Sequence, residues 1–178
     1  MLRILLVCLF LVGCGGSGSR TNTVNVVDIQ TEPLQCRSVF YGDSIGRQLR
    51  DSVYAPDFDY YVTRGLMITE QGPLDDSYCT IYLELGTNID WPAGKEAEEL
   101  ALINLIAGIE DKVICVLPMA QGKVPKFYHM RDMMKEHCLR IIDPAQEGVA
   151  PMANDGTHLS WGTDNPNLEH YARLFPTF

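Results

Sequence analysis

The chain has 178 residues, of which 46% are hydrophobic and 21% charged, a balance that fits one globular domain with a sizeable core and excludes a disordered or fibrous chain. Its formal charge is −9 and no Lys/Arg-rich run occurs, so a phosphate backbone would be repelled and no nucleic-acid partner is expected.

The first residues stand apart from that domain. Arg3 gives a positive start, Ile4 to Val12 form a short apolar run, and Gly15 to Ser19 are all small. The run is too short to span a bilayer as a stable helix and reads as a secretory signal. Leu11-Val12-Gly13-Cys14 resembles the lipobox of bacterial lipoproteins, which implies that Cys14 is lipidated and becomes the mature N-terminus. The expected organisation is a signal peptide over 1–13, a lipidated N-terminus and linker over 14–35, and one folded domain over 36–178. Export also permits disulfides. With Cys8 and Cys14 set aside, Cys36, Cys79, Cys115 and Cys138 allow three pairings, and the sequence does not choose among them. None has metal-ligand spacing, so no metal site is expected.

From Cys36 onward strand and helix patterns alternate. Ser38 to Tyr41 predicts a first strand, and Ile45 to Val53 a helix with Ile45, Leu49 and Val53 on one face. Asp59 to Thr63 predicts a second strand, closed by Arg64-Gly65, and Gln71 to Ser77 is rich in turn residues. Cys79 to Leu85 predicts a third strand, ending in Gly86-Thr87-Asn88. Ala93 to Ile109 predicts the clearest helix, with Leu100, Ile103, Leu105 and Ile106 as its apolar stripe. Lys112 to Leu117 is almost continuously apolar, as a parallel strand covered on both faces should be. Phe127 to Cys138 predicts a further helix whose Met130, Met133 and Met134 fill core. A fifth strand follows over Leu139 to Ile142, and a last helix over Leu168 to Phe175. This alternation implies a parallel five-stranded sheet with right-handed crossovers, hence a three-layer α/β/α sandwich.

In such a sheet ligands bind at the carboxyl ends of the strands. Ser44, Gly65 and Asn88 each follow the end of a predicted strand. In Val39-Phe40-Tyr41-Gly42-Asp43-Ser44-Ile45-Gly46 a hydrophobic strand stops in a Gly-Asp-Ser turn and enters a helix, which projects the serine hydroxyl above the sheet. A serine nucleophile needs a base, and a histidine base needs a partner that fixes its tautomer. Asp155-Gly156-Thr157-His158 offers both, with Asp155 close enough in sequence to reach the ring of His158. The developing oxyanion needs donors, which the N–H groups of Ser44 and Gly65 and the side-chain amide of Asn88 could supply. His129, His137 and His170 fall in or near predicted helices, away from the strand ends, and read as solvated or capping residues. Trp91 and Trp161, near Asn88 and His158 in sequence, could wall an acyl or sugar pocket.

The order of these blocks resembles the SGNH (GDSL-type) hydrolases. That family carries a Gly-Asp-Ser block, a lone glycine, a Gly-x-Asn block and an Asp-x-x-His block. Here they match Gly42-Asp43-Ser44, Gly65, Gly86-Thr87-Asn88 and Asp155-Gly156-Thr157-His158. Two positions depart from it: Ile89 stands where an aspartate often follows the asparagine, and Gly65 lies between Arg64 and Leu66 instead of beside serine or asparagine. The resemblance implies a flavodoxin-like fold, Ser44 as nucleophile, His158 as base, Asp155 as its partner, and oxyanion donors at Ser44, Gly65 and Asn88. It implies no cofactor. The expected activity is hydrolysis of small acyl esters, such as O-acetyl groups on glycans, outside the cytoplasm by a monomer tethered to a membrane through Cys14. Lysophospholipid or thioester hydrolysis and acyl transfer to a sugar use the same triad. A non-catalytic binding lipoprotein is the reading from outside enzymology.

Overall fold

The computed structural model describes residues 36–88, 94–119, 125–150, 158–159 and 164–176, with 125–127 described by backbone alone. Strands β1 (Ser38–Gly42), β2 (Asp59–Val62), β3 (Thr80–Glu84), β4 (Val113–Val116) and β5 (Ile141–Ile142) form one sheet in the order β2-β1-β3-β4-β5. Every neighbouring pair is parallel. Helices α1 (Ser44–Arg50), α2 (Lys95–Ile106), α3 (Pro125–His137) and α4 (Pro166–Ala172) cover the two faces. This is the α/β/α sandwich, with the strand order of the doubly wound class. Its order reverses between β1 and β3, so a crevice opens at the carboxyl ends of those two strands.

Period-two alternation along the strands divides the core. Val39, Tyr41, Ile81, Leu83, Val113 and Cys115 pack with Leu102 and Ile106 of α2 and with Met130, Met133 and Met134 of α3. Phe40, Tyr82, Ile114 and Val116 face the other way, onto Ile45 and Leu49 of α1 and Leu168 and Tyr171 of α4. Both faces are covered, which is why these strands read as nearly unbroken apolar runs. The three methionines are core filler, as their sequence pattern suggests.

Several boundaries move for identifiable reasons. α1 stops at Arg50 because Ser52 turns its hydroxyl onto the Leu49 carbonyl at 2.7 Å. Val53 therefore leaves the helix and is 70% exposed, not part of an apolar face. α2 presents Glu98, Leu102 and Ile106 to the interior, whereas Leu100 and Ile103 are exposed. Apolar side chains occur on every side of this helix, so periodicity selects no face and the sheet decides. α4 starts at Pro166, two residues earlier than the periodicity suggests. Asn165 caps it, its side chain accepting from the Asn167 N–H at 2.7 Å, and proline suits a first helical position. β5 shortens to two residues, and Leu139 is exposed.

The four domain cysteines pair as Cys36–Cys79 and Cys115–Cys138. Cys36 and Cys79 precede the paired strands β1 and β3, where the Cys79 N–H also donates to the Arg37 carbonyl at 3.1 Å. Cys115 on β4 reaches Cys138, the residue after α3. The topology settles the choice that spacing leaves open.

Candidate active site

β1 ends against a wall. A Cβ at Gly42 would lie 2.9 Å from Phe40 Cε1 and 3.0 Å from Glu84 Oε2, so this position has room only for glycine. Asp43 then caps α1, its Oδ1 accepting from the Ile45 N–H at 3.1 Å. Ser44 is the first helical residue, and its Oγ lies 2.8 Å from His158 Nε2, although 114 positions separate the two in sequence. The next residue, Leu159, is fully buried among the α1 and α4 side chains. Its N–H donates to Gln48 Oε1 at 3.1 Å. Gln48 is one turn along α1 from Ser44, so one short helix carries the hydroxyl and holds the histidine segment.

β3 delivers the second loop. Gly86 adopts φ +104°, a conformation that disfavours side chains, and lets the chain turn into Thr87 and Asn88. The Asn88 amide donates to Asp43 Oδ2 at 3.1 Å and to the Leu66 carbonyl at 3.4 Å. Thr87 Oγ1 donates to the same Asp43 oxygen. The third loop follows β2, where the Thr63 N–H donates to the Gly42 carbonyl at 3.0 Å and the Leu66 N–H to the Thr63 carbonyl at 3.2 Å. Gly65 takes the third place in that turn at φ +77°, the position that requires glycine. Among the described residues, the Ser44 and Gly65 N–H groups have no backbone or side-chain acceptor. Cys14, Trp91, Asp155 and Trp161 lie outside the described residues.

Two buried carboxyls underlie the serine. Asp43 is 0% and Glu84 1% exposed. Glu84 Oε2 accepts from the Gly46 N–H at 3.1 Å and, at 3.4 Å, from the Asp43 N–H, which also donates to the Glu84 main-chain carbonyl at 3.2 Å. Burial pushes Glu84 well above the ordinary carboxylate range, and the neighbouring Asp43 charge pushes it further. Burial also raises Asp43, opposed by its bonds from Thr87 and Ile45. The functional reading of the sequence passes over Asp43, Glu84, Thr87 and Gln48. A lone glutamate in an otherwise apolar strand is the signal for Glu84, because an ionisable group covered on both faces must be paired.

A cleft of about 630 Å³ abuts the Thr63–Leu66 turn, lined also by Tyr41, Tyr61, Glu70 and Gln71. Tyr61 is half exposed and stacks on Tyr41 with ring centroids 5.1 Å apart. The other histidines sit elsewhere. His137 ends α3, which returns the chain to the amino ends of the strands, and its Nε2 lies 2.7 Å from Glu99 Oε1. With Glu136 these two could hold a cation, on helices α2 and α3 and away from Ser44 in α1. His129 is not solvated as expected: its Nε2 is buried and lacks a hydrogen-bond partner among the described residues.

No protein-family model matches the chain, and no curated protein matches it. Among solved structures, it is similar to the C-terminal catalytic domain of peptidoglycan O-acetyltransferase A from Streptococcus pneumoniae, determined with a methylsulfonyl adduct. The TM-score is 0.52 at 15% sequence identity, over 78% of this chain and 89% of that one. The likeness is one of fold.

Proposed function

We propose that this protein is a serine-dependent acyl-ester enzyme of the SGNH type, acting outside the cytoplasm on small acyl esters such as O-acetyl groups on glycans. The observation that carries the reading is the 2.8 Å approach of Ser44 Oγ to His158 Nε2 at the carboxyl ends of the strands. A hydroxyl within hydrogen-bond reach of an imidazole can pass its proton to that nitrogen as the oxygen attacks a carbonyl carbon. The Ser44 oxygen bonds to the acyl carbon and His158 takes the proton. The tetrahedral oxyanion then collapses, expelling the alcohol oxygen, which receives that proton from His158. Water repeats the sequence on the acyl-serine and releases the acid. By its place in the motif, Asp155 orients His158 and stabilises the imidazolium.

Ser44 N–H and Gly65 N–H are assigned to the oxyanion because neither is engaged by the described residues. Asn88 is the third donor. Its contact to the Leu66 carbonyl, at 3.4 Å, is longer than that to Asp43, and a charged oxygen is the stronger acceptor for that proton. Trp91 and Trp161 are assigned to the pocket walls by sequence position alone. Export and anchoring through a lipid on Cys14 complete the proposal, with the domain over 36–178 and the linker and signal before it. Two disulfides fit an oxidising compartment, and no helix among the described residues is long and apolar enough to cross a membrane.

Acyl transfer to a sugar hydroxyl is the second reading, favoured by two observations. The similar solved structure is named as an acetyltransferase, and the tyrosine-lined cleft beside the Gly65 turn offers an aromatic face with polar neighbours, which suits a sugar ring. The test is hydrolysis of p-nitrophenyl acetate by the purified protein and by Ser44→Ala, with product analysis in the presence of a glycan acceptor. Loss of turnover in a folded Ser44→Ala is the expected result. A folded variant that keeps most of the activity refutes the assignment, and acylated glycan among the products selects transfer over hydrolysis.

A further inference from the structure

Beneath the proposed nucleophile, the structure holds two carboxyl groups where one would suffice to cap a helix. Ionised carboxylates are acceptors only. Asp43 and Glu84 are both buried, and Glu84 Oε2 reaches the backbone N–H of Asp43 itself, so two unscreened negative charges would lie together unless one carboxyl keeps its proton. The neighbours decide which group carries it. Asp43 receives three further donors, from Ile45 N–H, Thr87 Oγ and Asn88 Nδ2, a set that suits an anion. Glu84 receives two backbone N–H groups on Oε2 alone, as the carbonyl oxygen of a neutral acid would.

We infer that Glu84 is a positioning residue that works as a neutral carboxylic acid, donating its proton to the Asp43 carboxylate while its Oε2 holds the Asp43 and Gly46 N–H groups. The role rests on the serine-enzyme reading for its effect on rate, but the protonation state does not. The consequence for catalysis is geometric. Glu84 grips the turn on both sides of Ser44, and through Asp43 it reaches Thr87 and Asn88. One side chain at the end of β3 thus sets the nucleophile turn against the loop that carries an oxyanion donor. The neutral form also keeps a single negative charge below the place where an oxyanion must form, in surroundings where a second charge would oppose it strongly.

The groups that face the pair belong to every packed element. On α4 there is Tyr171, with Tyr60 of β2 beside it, and on α1 Ser44, which carries the contact to His158. Tyr171 is fully buried, and its hydroxyl is held protonated chiefly by that burial. Tyr60 is pushed up in the same direction by burial. Both phenols stay neutral across the ordinary range, so the titration that matters is the shared carboxyl proton.

Glu84→Gln and Glu84→Ala separate the possibilities. Glutamine keeps a donor for Asp43 and a carbonyl for the two N–H groups, and it cannot ionise. The first readout is infrared absorption of the full-length protein near neutral pH. A protonated carboxyl band present in the wild type and missing from Glu84→Gln is expected, and absence of that band in the wild type overturns the inference. The second is unfolding temperature against pH. A carboxyl whose folded pKa is raised contributes stability present below its unfolded value, and that contribution is lost as pH rises toward the folded one. The wild type should therefore lose stability relative to Glu84→Gln as pH rises from the ordinary carboxylate range toward the raised value of the folded state. Parallel curves overturn the inference. The third readout is rate: kcat should fall by about 100-fold in Glu84→Ala and by less than about tenfold in Glu84→Gln, with KM little changed. Equal losses in the two variants would mean that the charge is required, and would contradict the neutral role. A wild type with no esterase or transferase activity that still shows the band and the pH slope would instead count against the serine-enzyme reading.

Discussion

The two halves of the proposed site are built differently. The serine half grows from the ends of β1 and β3, and a buried network of Asp43, Glu84, Thr87 and Asn88 fixes its turn from below. On the histidine half, among the described residues, the buried Leu159 side chain and the bond from its N–H to Gln48 stand next to His158. The first arrangement belongs to the core and stabilises the fold as well as the site. The second is joined to the fold chiefly through Leu159 and contributes no strand to the sheet. Changes on the serine side should therefore cost rate and stability together, and changes on the histidine side should cost rate alone.

After loss of the serine itself, the largest effect is expected from Asn88→Ala. One missing oxyanion donor lowers kcat by about 10²–10³ with little change in KM. Steady-state kinetics on an acetyl ester checks this, and an effect confined to KM would mean that Asn88 only touches substrate. Thr87→Val sharpens the comparison from the other direction. It leaves the volume unchanged but removes a bond to the buried Asp43 carboxyl, at a cost of about 1.5–3 kcal/mol in denaturant unfolding. Its kcat should fall as well, since Asp43 also receives Asn88. Gln48→Ala is the counterpart on the histidine side. It should lower kcat by about tenfold through a misplaced base, with unfolding free energy changed by less than about 1 kcal/mol. If Gln48→Ala destabilises the fold as much as Thr87→Val does, the contrast between the halves disappears.

Much of this was legible in the residues, and the exceptions have physical causes. Unbroken apolar runs such as Val113 to Leu117 announce parallel strands because both faces are covered. The Gly42-Asp43-Ser44 turn and the later His158 suggest a candidate nucleophile and base by residue type, and the structure brings the two side chains to 2.8 Å. Orientation was not legible where sequence offers no contrast: α2 is apolar on all sides, so Leu100 and Ile103 read as core and prove exposed. Pairing of Cys36 with Cys79 depends on strand register, a long-range fact that no local spacing encodes. Gln48 and Glu84 were missed because their importance lies in a partner more than thirty residues away, Leu159 for the first and Gly46 for the second. Glu84 alone carried a local hint, as the single carboxyl in the β3 sequence TIYLE.

The central claim is that His158 makes Ser44 a nucleophile. The direct measurement is covalent labelling by a sulfonyl fluoride, a reagent that sulfonylates activated serines, followed by peptide mapping by mass spectrometry. One equivalent of label on Ser44 in the wild type, and none on Ser44 in a folded His158→Ala variant, is the predicted result. Label on other residues alone, or the same extent of Ser44 labelling with and without the imidazole, would contradict the account.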